Sequence, residues 1–192
     1  MTIKIAALTL LVLTTSVVCY RVRAAEPPLE FTPRNGFTGA SKGIGTLKMF
    51  LGAPRRFHVA SQEIEQRDGT FRLEQRVTFQ GEAPKDRVWI LTTVTPNQYS
   101  AWLSDADGPV TGSTSGTRLS LRFRVKGPML MQQELELLPD GKTIINVGTI
   151  TLLGVPVGNL QETITRNNRV VRSGKCSVRC DIALWGSEHW PA

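Results

Sequence analysis

From Phe71 to Phe79 the chain alternates, with Phe71, Leu73, Gln75, Val77 and Phe79 on one face and Arg72, Glu74, Arg76 and Thr78 on the other. A two-residue period marks a strand with one dry face and one wet face. The beat returns at Leu119, Leu121, Phe123 and Val125 against Ser120, Arg122, Arg124 and Lys126. On this pattern strands are predicted over 37–48, 55–66, 70–80, 86–95, 98–104, 109–115, 117–126, 128–138, 142–152 and 155–166. Asp68-Gly69 and Asp140-Gly141 are hairpin turns, because those pairs tolerate the positive φ that tight turns demand. Pro96-Asn97 and Gly127-Pro128 mark two further reversals. Many strands joined by tight turns, with no helical period between them, describe an all-β antiparallel meander closed around a core rather than a parallel sheet. Closure also removes exposed edges.

The ends of the chain read differently. Residues 5–20 are mostly apolar, too short for a membrane span and right for a secretory h-region, so residues 1–24 are read as a signal peptide cleaved after Ala24. A lipid anchor at Cys19 would need small residues just ahead of it, where Val17 and Val18 stand. Residues 25–36 carry Pro27, Pro28 and Pro33 and read as an extended lead-in, 37–166 as the barrel domain, and 167–192 as a basic C-terminal tail. The expected location is the periplasm or cell envelope. In an oxidising compartment Cys176 and Cys180 form an even pair that either closes a small disulfide loop or remains as two thiols.

Charge adds one exclusion. Without residues 1–24 the chain keeps 20 of its 23 basic residues against 16 acidic ones, a net charge near +4. Most of those cations alternate with core positions along strands, as a solvated sheet exterior does, instead of forming the concentrated basic face of a nucleic-acid binder. The tail is the exception: Arg166, Arg169, Arg172, Lys175 and Arg179 precede Asp181, with Trp185 and Trp190 beyond. It reads either as a solvated tail or as a contact for a membrane surface.

One motif points elsewhere. Thr38-Gly39-Ala40-Ser41-Lys42-Gly43-Ile44-Gly45 resembles the cofactor loop of short-chain dehydrogenases. That loop needs a buried parallel strand before it and a helix after it to hold a pyrophosphate. Here Pro33-Arg34-Asn35-Gly36 stand in place of the strand, Gly52-Ala53-Pro54 break the chain where the helix would run, and Leu103 stands where a lysine should come four residues after Tyr99. The glycines are read as a bend or bulge in the first strand, and no cofactor is expected.

Candidate chemistry lies inside the barrel. The alternation that turns Phe71 and Phe79 inward turns Gln75 inward too, where a buried amide needs partners. Arg87 and Trp89 share one face of their strand, Tyr99 and Asp105 one face of the next, and Asn146 can reach the same interior. These groups either hold the polar head of a ligand or, through an Arg87–Asp105 pair, close one end of the barrel. Ser41, Ser61, Ser100 and Asp105 have no histidine placed to activate them, and His58 should point outward, so no catalytic residue is assigned. With only His58 and His189 available, no metal site is assigned either.

A run of small motifs carries a resemblance: Phe37-Thr38-Gly39, Arg56-Phe57 with Val59, the strand Phe71 to Phe79, Arg87 with Trp89, the ladder Gly108, Gly112 and Gly116, and Asn146 leading to Gly154-Val155-Pro156-Val157-Gly158. In order and spacing this is similar to a bacterial envelope group, domain-of-unknown-function family 3833, many of whose members are lipoproteins. The resemblance implies an up-and-down, lipocalin-like (calycin-type) barrel. It departs from the family pattern at Gln75 and Leu152, where an acid and a lysine are common. The expected function is binding or shielding of a small hydrophobic or amphipathic molecule, such as a lipid. The alternative is a non-enzymatic envelope assembly or scaffold protein whose basic tail docks on a membrane or partner.

Overall fold

A computed structural model describes residues 29–167. Ten strands come after one short helix: α1 (Pro33–Phe37), β1 (Ala40–Met49), β2 (Arg55–Ile64), β3 (Phe71–Phe79), β4 (Lys85–Thr95), β5 (Gln98–Leu103), β6 (Val110–Ser115), β7 (Arg118–Lys126), β8 (Met129–Leu137), β9 (Thr143–Leu152) and β10 (Val155–Asn167). Each strand pairs antiparallel with the next, and β10 pairs with β1 to close the barrel. The two-residue period thus corresponds to an inner and an outer wall, as expected. The expected signal peptide, the basic tail and the Cys176–Cys180 pair lie outside the described residues.

Inward positions of successive strands build one core, including Phe71, Leu73, Trp89, Leu91, Leu103, Val110, Leu119, Phe123, Leu135, Leu137 and Ile144. An up-and-down barrel places alternate turns at opposite ends. The β2–β3, β4–β5, β6–β7 and β8–β9 turns share one end with α1, and the β1–β2, β3–β4, β5–β6, β7–β8 and β9–β10 turns form the other. At the first end Phe31 and Phe37 pack edge to face at 6.0 Å and are almost fully buried. The Phe31 amide also donates to the Gly116 carbonyl at 2.7 Å. These two rings plug the barrel.

The plug departs from the extended lead-in expected over residues 25–36 and from a first strand beginning at Phe37. Pro33 stands at the start of α1, where its missing N–H costs nothing, and Thr32 and Asn35 exchange side-chain to backbone bonds in a capping box. A proline that reads as a helix breaker therefore starts a helix. The packed unit begins at Phe31.

The glycine string is also corrected in detail. Gly39 makes a bend at φ +78°, but Gly43 and Gly45 lie inside an unbroken register with both neighbouring strands, so β1 has no bulge there. They are small for another reason. A Cβ on Gly45 would meet the Phe57 ring at 2.5 Å, and one on Gly43 would collide with the Glu162 carboxyl. Each glycine makes room for a large inward side chain from the adjacent strand.

Candidate functional site

Halfway along the barrel the apolar wall is interrupted by a belt of polar side chains. Ser61, Gln75 and Arg87 are direct cross-strand neighbours on β2, β3 and β4, all inward by the strand period. The Gln75 amide is held at both its atoms: its Nε2 donates to Ser61 Oγ at 3.0 Å, while its Oε1 accepts from Arg87 Nε and from Trp89 Nε1, both at 2.8 Å. Trp89 is fixed from its other side by an edge contact with Phe123 at 5.6 Å. Only a quarter of the Arg87 side chain reaches solvent, and its Nη1 lies 4.0 Å from Asp105 Oδ2 at the mouth of the barrel. Burial pulls the guanidinium pKa below its ordinary value, opposed by the charges of Asp105 and Glu162.

Across the interior, Asn146 on β9 and Glu162 on β10 are opposite each other in register. Asn146 Nδ2 donates to Glu162 Oε2 at 2.9 Å, and both residues are buried. Burial raises the Glu162 carboxyl above its ordinary 4.5, opposed by the hydrogen bond from Asn146 and the charge of Arg87. The amide oxygen of Asn146, Oδ1, is buried with no hydrogen-bond partner, as is Ser41 Oγ on β1. Buried acceptors are ordinarily satisfied, so an orphaned one beside an interior space points to a missing donor.

That space is a cavity of about 40 Å³. Gln75, Arg87, Trp89, Gln133, Asn146 and Glu162 line its polar side, and Phe37, Phe71, Leu73, Leu119, Leu135 and Ile164 its apolar side towards α1. The arrangement can offer donors from a cation, acceptors from an amide and a carboxyl, and an oily wall within one enclosure. A larger hollow of about 560 Å³ on the outer wall, with Ile44, Thr46, Arg56, Val147 and Gln161 on its surface, is open to solvent. Asn146 and Glu162 border both spaces, but Gln75, Arg87 and Trp89 line the inner one alone, which makes it the better site despite its size.

Of the residues singled out from the sequence, Gln75, Arg87, Trp89 and Asn146 all line this cavity. Asp105 sits at the rim, with 59% of its side chain exposed, and touches the belt only through Arg87. Tyr99 is buried as expected but belongs to the opposite end, where its hydroxyl approaches the Pro96 carbonyl at 3.4 Å. Glu162 and Gln133 were not anticipated. Glu162 falls between Leu160 and Ile164 on the two-residue period, so its inward position was readable; the outer acids Glu134 and Glu136 alternate with inner residues and disguise Gln133 in the same way. Ser41 and Ser61 face inward while His58 lies exposed on the outer wall. Among the described residues no group of three or more His, Cys, Asp or Glu side chains could hold a metal ion.

With this geometry in place, comparison with known proteins adds three findings. A family model described as a protein of unknown function (DUF3833) matches residues 10–166. The S-type phycobiliprotein lyase of Guillardia theta has a similar fold, with a TM-score of 0.54 at 8% identity over 68% of this chain and 88% of that one. A protein of unknown function of the DUF3598 family from Nostoc punctiforme has a TM-score of 0.53 at 16% identity, covering 75% of this chain and 53% of that one. No curated protein matches the chain. At these identities the solved structures establish the barrel and nothing of its chemistry.

Proposed function

Since this chain belongs to the DUF3833 family of proteins of unknown function, we propose from the site itself that it is an exported barrel that binds or shields a small amphipathic molecule. The head group sits in the belt between Arg87, Asn146 and Glu162, and the apolar part lies against Phe71, Leu73 and Leu119 beneath α1. The observation that carries this reading is the buried, unpartnered Oδ1 of Asn146, a residue of the cavity lining bonded to a buried carboxyl. Enclosing an arginine and a glutamate in a barrel costs stability that an aliphatic core of the same volume avoids. A feature kept at such a cost calls for a use. Because the space is only about 40 Å³, well below the few hundred Å³ of an ordinary small-molecule site, binding requires the interior to widen, and Phe37 of the plug forms the part of the cavity wall placed to yield.

The tight interior favours a second reading, a non-enzymatic envelope assembly or scaffold protein in which the belt only fastens strands together. Native mass spectrometry of the full chain, purified in mild detergent from a bacterial envelope, separates the two. Ligand binding predicts a co-purifying small molecule that is lost in Asn146→Leu while the fold persists. A wild-type protein that carries nothing supports the scaffold instead.

A further inference from the structure

Two adjacent turns at the end opposite α1 have the composition of a core and the position of a surface. The β1–β2 turn reads Phe50-Leu51-Gly52-Ala53-Pro54, and the β9–β10 turn is Leu153-Gly154 flanked by Leu152 and Val155. They are neighbours because β1 pairs with β10: Met49 stands opposite Gly158, and the Phe50 amide donates to the Val157 carbonyl at 2.6 Å. Phe50, Leu51 and Leu153 are each more than four-fifths exposed, and Val155 is 62% exposed. A single exposed apolar side chain is ordinary, but several large ones side by side on loop tips mark a contact surface.

The backbone supplies an independent sign. Leu153 holds φ +50°, the one described non-glycine residue in the left-handed region. That turn position suits Asn, Asp or Gly, and a branched apolar residue there gives up local stability. Here the same residue is also set out in water. Strained residues of this kind cluster where a surface or site has a task beyond folding.

Charge identifies what covers the surface. Residues 48–56 contain Lys48, Arg55 and Arg56 and no acid, and residues 150–159 contain no acid either. Arg55 is engaged by Glu82, while Lys48 and Arg56 stand exposed beside the apolar tips. Apolar tips with flanking cations complement an anionic bilayer, whose acyl boundary receives the first and whose phosphates attract the second. A protein groove would account for the apolar tips but leaves the exposed Lys48 and Arg56 beside them unexplained.

We propose that this end of the barrel docks on an anionic membrane surface, with Phe50, Leu51 and Leu153 inserted and Lys48 and Arg56 against lipid phosphates. The contact involves none of residues 168–192, and Asn167, where β10 ends, lies at the opposite end of the barrel. It is also independent of whether the interior holds a ligand. The test uses the full chain with a photoreactive Phe50→benzoylphenylalanine or, at the opposite end, Asn97→benzoylphenylalanine, illuminated on vesicles of phosphatidylglycerol and phosphatidylcholine. A lipid adduct is expected at position 50 and not at 97, weaker on phosphatidylcholine alone. Adding Leu51→Ser and Leu153→Asn should lower the yield at least about tenfold, the scale of withdrawing even one of the two leucines from an apolar phase. Thermal stability should hold or rise, because asparagine suits the turn. Equal adducts at the two positions, equal yields on both lipids, a yield indifferent to the two substitutions, or crosslinking to a second copy of the chain in place of lipid would each overturn the proposal.

Discussion

The two ends of this barrel are built to opposite standards. At the α1 end two of the turns are fastened by an aspartate: Asp68 accepts from the Thr70 amide and hydroxyl, and Asp140 accepts from the amides of Lys142 and Thr143 and from the Thr143 hydroxyl. Phe31 and Phe37 then cover the opening. At the far end a leucine occupies a left-handed position, Phe50 and Leu51 stand in solvent, and, among the described residues, no helix covers the barrel mouth. Sequence and stability agree at one end and part at the other. Local rules of folding are most often broken where a surface or site has another task.

Substitutions can break or sharpen this contrast. The largest effect is expected at the plug, where Phe37→Ala removes a buried ring and should cost about 3 kcal/mol in urea unfolding of the full chain. At the midline, Gly43→Ala drives a methyl into the Glu162 carboxyl and should cost about 2 kcal/mol, the usual scale of overpacking. Adding Glu162→Ala should recover most of that loss, and a fully additive pair would refute the steric account. At the bare end Leu153→Asn should act in the opposite direction, raising stability by about 1 kcal/mol as the left-handed strain is relieved. A loss there would erase the difference between the ends.

The smallest effect is a pH dependence of two signs. The Thr143 hydroxyl, with the Lys142 and Thr143 amides, pulls the Asp140 carboxyl down to about 2. A depressed acid stabilises the fold above its ordinary value, and this contribution is lost as pH falls through the folded one. Asp140→Asn should therefore flatten the acid limb of a melting-temperature profile. Burial raises Glu162 instead, so its share of stability is greatest when it is protonated and falls as pH climbs above 4.5. Glu162→Gln should remove that decline, and an unchanged profile would show that the carboxyl does not titrate where its burial places it.

Much of the architecture was legible because strand alternation is a direct record of inside and outside. The ten segments, the Asp-Gly turns and the inward course of Gln75, Arg87, Trp89 and Asn146 come from it. Closure of the barrel was legible too, but the register of β10 on β1 and the pairing of Asn146 with Glu162 relate segments separated along the chain, which periodicity does not encode. The helix at Pro33 was concealed because proline is read as a breaker unless its place in the first turn is known. Gly43 was visible as a glycine, but the carboxyl that requires it lies on another strand. Asp105 and Tyr99 share an inner-facing pattern with the belt, yet strand length carries one to the rim and the other to the opposite end.

The account turns on the belt being retained at a cost. The direct measurement is the unfolding free energy of the Arg87→Met, Asn146→Leu, Glu162→Leu triple variant of the full chain against the wild type. Replacing a buried ionic cluster with packed apolar groups should raise stability by about 1–4 kcal/mol if the belt exists for a ligand. A marked fall in stability would contradict the account and make these residues the fastening that holds the barrel shut.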